Sequence, residues 1–198
     1  MFLLYSLSME KDLLLNNIKI LISVLGEMRD ETAFLLDRLG KSMGASLEKG
    51  STIFWCGNGG SAAESQHMAA ELMGRFLINR KPYRSLSLTT DTSAITGISN
   101  DFSFNEIFSR QLEGLARPGD YLVVFTTSGN SENVLLALGK AKEIGVHTVA
   151  FLGKDGGKVR GMADTEFLVD SAETARIQEV HTVIAHTLCQ IIEAECEK

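Results

Sequence analysis

Between residues 51 and 169 the chain alternates short apolar runs of β-forming residues with longer stretches of helical spacing, and few folds accept that rhythm. The runs are STIFWC (51–56), SLSL (85–88), YLVVF (121–125), HTVAFL (147–152) and EFLV (166–169). Helical patterns separate most of them, at about 61–76, 104–115 and 131–144, and a further one follows at about 174–195. Strands that alternate with helices build βαβ units, whose crossovers cover both faces of a parallel sheet. The expectation is therefore one doubly wound α/β domain. Ahead of it, residues of about 10–49 read as two helices. Leu14, Ile18, Leu21, Ile22 and Leu25 recur at helical spacing, as do Phe34, Leu35, Leu39, Met43 and Leu47, and Gly50 is a natural stop.

Composition narrows the partners. With 198 residues the chain has the length of one domain with a real core. A net charge of −6 without any cluster of Lys or Arg argues against nucleic acid as the main partner. The apolar start, MFLLYSLSMEKDLLLNN, has neither a positive leading region nor a small-residue cleavage site, so no signal peptide is expected. No run approaches the roughly 18 apolar residues of a membrane span. Cys56, Cys189 and Cys196 form no CxxC pair, which fits free thiols in a reducing cytoplasm.

Two loops at strand ends have the chemistry of anion sites. CGNGGSAAES (56–65) pairs glycines with a helix start, whose unpaired N–H groups and positive dipole end favour an anion. It lacks the Gly-Lys-Ser/Thr ending of a Walker loop and only partly matches a dinucleotide fingerprint, so a bare strand-to-helix turn remains an alternative. FTTSGNSENV (125–134) crowds Thr126, Thr127, Ser128 and Ser131 around one glycine. Helix capping explains Ser131 but not the other three hydroxyls. With no lysine in either loop, the expectation is a phosphate that is held and not transferred.

Helical spacing then supplies proton chemistry. His67 and Glu71 lie four apart and share a helix face, an arrangement that is also common in solvated surface pairs. Gln178 and His186 lie eight apart, about 80° around the axis, so both can address one site. His181 is about 140° from His186 and is expected to be structural. His147, which opens a strand, is read the same way. Together His67, Glu71, Gln178 and His186 could hold zinc or a similar ion, although glutamine is an uncommon ligand and no HExxH is present. Acid–base work by Glu71 and His186 is the favoured reading.

These segments, with LTTDTSAITGISNDFSFNEIFSRQLE, GKDGGK and ETARIQEVHTVIAHTLCQ, resemble the bacterial phosphoheptose (sedoheptulose 7-phosphate) isomerases of the sugar-isomerase (SIS) superfamily. The similarity runs from about Ser51 to Ile192. It implies a flavodoxin-like five-stranded parallel sheet over residues 51–198, with residues 1–50 as helices for oligomer packing. It also implies a cytoplasmic homotetramer with active sites partly built at subunit contacts. The implied reaction interconverts sedoheptulose 7-phosphate and D-glycero-D-manno-heptose 7-phosphate, the entry to bacterial heptose biosynthesis, with lipopolysaccharide, capsule or another glycan as destination. Carried over by position, Asn58, Gly59, Gly60, Asn100 and Asp101 contact the sugar, and Thr126, Thr127, Ser128 and Ser131 hold the phosphate. Glu71 and His186 form the acid–base pair, Gln178 lies at the sugar, and some members bind zinc through His67, Glu71, Gln178 and His186. Departures fall at Thr126, which keeps its hydroxyl, and at Asp170 and Glu173.

Two rivals remain. A tetrameric binding module similar to the replication-initiator-associating protein shares the fold, but typically lacks the glutamate and last histidine matched here by Glu71 and His186. An isomerase of another phosphosugar, such as a hexulose 6-phosphate, keeps the chemistry and changes the substrate.

Overall fold

Alternate residues of the central strands feed two separate cores, which is what a sheet buried on both faces requires. The structure is a computed structural model that describes the backbone of residues 2–197 and the side chains of residues 12–197. The signal-peptide expectation rests mostly on the first residues and lies outside the described side chains. In chain order the elements are α1 (Phe2–Gly26), α2 (Asp30–Glu48), β1 (Ile53–Gly57), α3 (Gly60–Met73), β2 (Ser85–Ser87), α4 (Thr92–Asp101), α5 (Ser109–Leu115), β3 (Tyr121–Thr126), α6 (Glu132–Ile144), β4 (His147–Gly153), β5 (Thr165–Val169) and α7 (Thr174–Cys196).

The five strands pair in parallel in the order β2-β1-β3-β4-β5. Register puts Trp55 beside Val123 and Phe125 beside Phe151. On one face Trp55, Phe125, Phe151 and Phe167 pack with α2, α3 and α7, through residues such as Met43, Met68, Leu72, Val180 and Leu188. On the other, Phe54, Leu122, Val124 and Leu152 meet Leu112 of α5 and Val134 and Leu138 of α6. Burial of each such side chain contributes about 1.5–3 kcal/mol.

Two expectations needed correction. The segment 92–101 is a helix, α4, that the periodicity did not announce. It is rich in Thr, Ser and Asn, which are poor helix formers, and it buries none of its residues. Its start is fixed by Asp91, whose side chain accepts from the Ala94 amide at 2.9 Å. The stretch 104–115 divides into a single 3-10 turn, Phe104–Glu106, and the short α5.

Because β1 sends its chain to β2 on one side and lies against β3 on the other, the strand order reverses at the carboxyl ends of β1 and β3. Ligands bind in open α/β sheets at such a reversal.

Candidate active site

The reversal point holds a cavity of about 90 Å³ lined by Asn58, Ser61, Phe125, Thr126, Thr127, Ser128 and Ser131. Its polar wall comes from two loops that follow β1 and β3. Asn58 and Asn133 exchange side-chain hydrogen bonds, Nδ2 to Oδ1 at 2.8 and 2.9 Å, and so tie the glycine loop to the first turn of α6. Thr126 Oγ1 accepts from the Gly129 amide at 3.1 Å and shapes the hydroxyl loop. The GKDGGK segment backs that loop, since Val159 N donates to the Gly129 carbonyl at 3.0 Å and Lys158 N to Asn130 Oδ1 at 3.2 Å.

From this cavity α3 and α7 run side by side, joined in rungs. The Gln178 amide lies over Gly60, where an added Cβ would collide with it. One turn on, Thr182 Oγ1 donates to Glu64 Oε2 at 2.7 Å. Further on, His186 Nε2 stands 3.3 Å from His67 Nε2, which is 2.9 Å from Glu71 Oε1. Ligand-capable atoms of His67, Glu71 and His186 all lie within 4.8 Å of one another. A tetrahedral zinc ion with ligands at about 2.1 Å would separate them by about 3.4 Å, so the cluster fits a divalent cation. Seven residues, about 10 Å of helical rise, separate Gly60, which the Gln178 amide covers, from His67.

Electrostatics follow from packing. Burial, then the neighbouring His67, lower the pKa of His186, with Glu71 pulling the other way. The ring of Phe76 stacks on His186 at 5.5 Å and 6°. Burial raises the pKa of Glu64, opposed by the Thr182 hydrogen bond and by His67. Burial pushes His181 down to about 4, and its Nε2 meets the Leu152 carbonyl at 3.0 Å near the carboxyl end of β4. His181 is thus structural. His147 lies at the opposite end of the sheet with Tyr121 against its ring.

Of the residues singled out by sequence, Asn58, Thr126, Thr127, Ser128 and Ser131 share the cavity, and His67, Glu71 and His186 share the cluster. Gly59 and Gly60 form the turn between them. Asn100 and Asp101 end α4, exposed and bonded to each other at 2.8 Å, and do not line the cavity. Sequence reasoning missed Ser61, Glu64, Asn133 and Thr182. Ser61 and Glu64 lie within the 56–65 stretch and Asn133 within 125–134, and Thr182 sits four residues from both Gln178 and His186, yet none of the four was singled out.

Comparison with known proteins decides the family. The SIS domain family matches residues 18–153. A phosphoheptose isomerase of Paramagnetospirillum magneticum is 54% identical over 149 residues, 75% of this chain and 78% of its own length. The chain belongs to the phosphoheptose isomerases of the SIS family. A second relative of that name, from Akkermansia muciniphila, is 44% identical over 91% of both chains. The solved phosphoheptose isomerase of Neisseria gonorrhoeae superposes with a TM-score of 0.84 at 38% identity, covering 93% of this chain and 98% of that one. Membership confirms the expected fold, including the five-stranded parallel sheet preceded by helices, and makes the chain a sugar-phosphate isomerase.

Proposed function

We propose that the chain interconverts sedoheptulose 7-phosphate and D-glycero-D-manno-heptose 7-phosphate through a cis-enediol, the entry to heptose biosynthesis. The observation that carries this reading is the convergence of Glu71 and His186, from separate helices, on one cluster at the far end of α3 from a hydroxyl-lined cavity.

The phosphate sits at the cavity, held by Ser61, Thr126, Thr127, Ser128, Ser131 and the free amides that open α6. It reacts nowhere. Its contacts supply the binding energy that orients the other end of the sugar. Ser61 and His67 are about 9 Å apart along the α3 axis, a span suited to a several-carbon chain. Glu71 takes a proton from C1 of the ketose. The C–H electrons form the C1–C2 double bond while O2 gains a proton. The Glu71 carboxyl, partly open to water, exchanges its proton with solvent while the enediol is bound and then protonates C2 as O1 loses a proton, which leaves the aldose. His186, kept neutral by burial, serves the two oxygens and assists ring opening.

The ion proposed here is zinc, for which two imidazoles and a carboxylate are accepted donors. It would be held by His67, Glu71 and His186, three protein ligands that leave a position open, and it would polarise the substrate oxygens. The place of Gln178 over Gly60 supports contact with the sugar over a role as fourth ligand. Asn100 and Asp101 belong to the sugar end, and a homotetramer in the cytoplasm completes the proposal. Among the described residues no helix is long and apolar enough to cross a membrane.

The binding-module alternative is not favoured, because the acid–base groups it lacks are assembled here. Incubation with sedoheptulose 7-phosphate and a hexulose 6-phosphate, with product analysis, tests the substrate. Faster turnover of the hexulose would overturn the heptose assignment. Metal content of purified protein, with activity before and after chelation, tests zinc, and metal-free protein of full activity would remove it from the account.

A further inference from the structure

We infer that the buried ion pair of Arg80 and Glu193 is the positioning device of the acid–base cluster, fixing the main chain of Glu71 and the ring that rests on His186. The Arg80 and Glu193 side chains are 0% and 1% exposed, and Arg80 Nε meets Glu193 Oε1 at 2.8 Å. Arg80, in the segment between α3 and β2, ties back to the end of α3, and Glu193 grips that segment. Arg80 donates from Nη2 to the Glu71 carbonyl at 2.9 Å and from Nη1 to the Leu72 carbonyl at 2.9 Å. These are carbonyls of the last turn of α3, which lack helical partners, and a cation there also suits the helix dipole. Glu193 accepts the amides of Phe76, Leu77 and Ile78 at 3.2, 2.8 and 3.0 Å. Burial alone would raise the Glu193 pKa, but these amides and Arg80 hold it below the ordinary value, so it stays ionised.

The geometry ties the pair to both reacting groups. Glu193 lies seven residues after His186, about 20° around α7, and so faces the same side. By curling residues 76–78 around its carboxylate it lays the Phe76 ring flat on His186. Through Arg80 it anchors the turn that carries Glu71. A buried ion pair adds little net stability relative to an apolar pair of the same size, whereas it imposes strict geometry. Neither residue lines the cavity, and Arg80 meets Glu71 only at its main-chain carbonyl, so the two act as positioning residues. For catalysis the inference rests on the isomerase reading. For geometry it does not.

The test uses the full chain as purified, with Glu193→Gln as the first variant. It keeps size and some hydrogen bonding while it removes the charge. The expected result is a parental circular dichroism spectrum, a kcat lower by roughly 10- to 100-fold, as for small misplacements of reacting groups, and a KM within about threefold. In the same sample the upfield ring-current shift that Phe76 imposes on the His186 Cε1 proton should shrink. A folded Glu193→Gln protein with parental kcat and an unchanged His186 shift overturns the inference, as does a loss of kcat that only tracks the loss of folded protein. If Glu193→Gln does not fold, Phe76→Leu, which leaves the ion pair in place, decides. A lower kcat at constant KM supports the inference, and parental kcat overturns it. Should the parent not turn over sedoheptulose 7-phosphate at all, the isomerase reading fails alone, and the His186 shift still decides this one.

Discussion

Glu64 carries a buried carboxylate oxygen, Oε1, that finds no hydrogen-bond partner among the described residues, while Oε2 is held by Thr182. A carboxylate three residues before a histidine reads in sequence as a solvated face. Only the packing of α7 on α3 shows that it is enclosed, which is why spacing revealed His67 and Glu71 but not Glu64. Thr182→Val would strip its last side-chain partner and should cost about 1–3 kcal/mol of stability, read as a lower melting temperature. Glu71→Gln keeps the shape and removes the base. It should lower kcat by about 10²- to 10⁴-fold while sugar-phosphate binding, followed by calorimetry, stays near parental. His181 gives a pH signature. Its folded pKa of about 4 lies below the unfolded value of 6.5, so the unfolded chain binds the extra proton first. Stability should therefore fall as pH drops from 6.5 towards 4, by up to about 3 kcal/mol from this group. Urea melts at pH 7.5 and 4.5 should show a smaller loss for His181→Gln than for the parent.

At the scale of elements, strands β1, β3 and β4 were legible because both-face burial leaves uninterrupted apolar runs, and the edge strands β2 and β5 showed as the shorter runs SLSL and EFLV. Helix α4 was not, because it buries no residue and rests on the Asp91 cap. The facing of α3 and α7 was half legible. The eightfold spacing of Gln178 and His186 placed both on one side of a helix, but which turn of α3 each would meet depends on how the helices cross. That is why spacing could not announce the contact of Gln178 with Gly60. Gly60→Ala probes this contact. The new methyl must displace the flexible Gln178 amide, so KM for the sugar phosphate should rise several-fold while metal content and melting temperature hold. A KM equal to the parent's would remove Gln178 from the sugar site.

For the whole molecule, α1 leaves Leu14, Ile18 and Ile22 exposed at 62%, 43% and 63%, one apolar stripe at intervals of four residues. Periodicity announced the stripe, but among the described residues nothing covers all of it, which is the physical case for the proposed tetramer. Ile18→Glu should shift sedimentation towards smaller species. The claim on which the rest depends is that one proton moves between adjacent carbons at Glu71. Its most direct measurement is the reaction of sedoheptulose 7-phosphate in D2O, with the product read by NMR. The account predicts an aldoheptose 7-phosphate with deuterium at C2, and recovery of unchanged ketose, or of aldose carrying only hydrogen there, would contradict it.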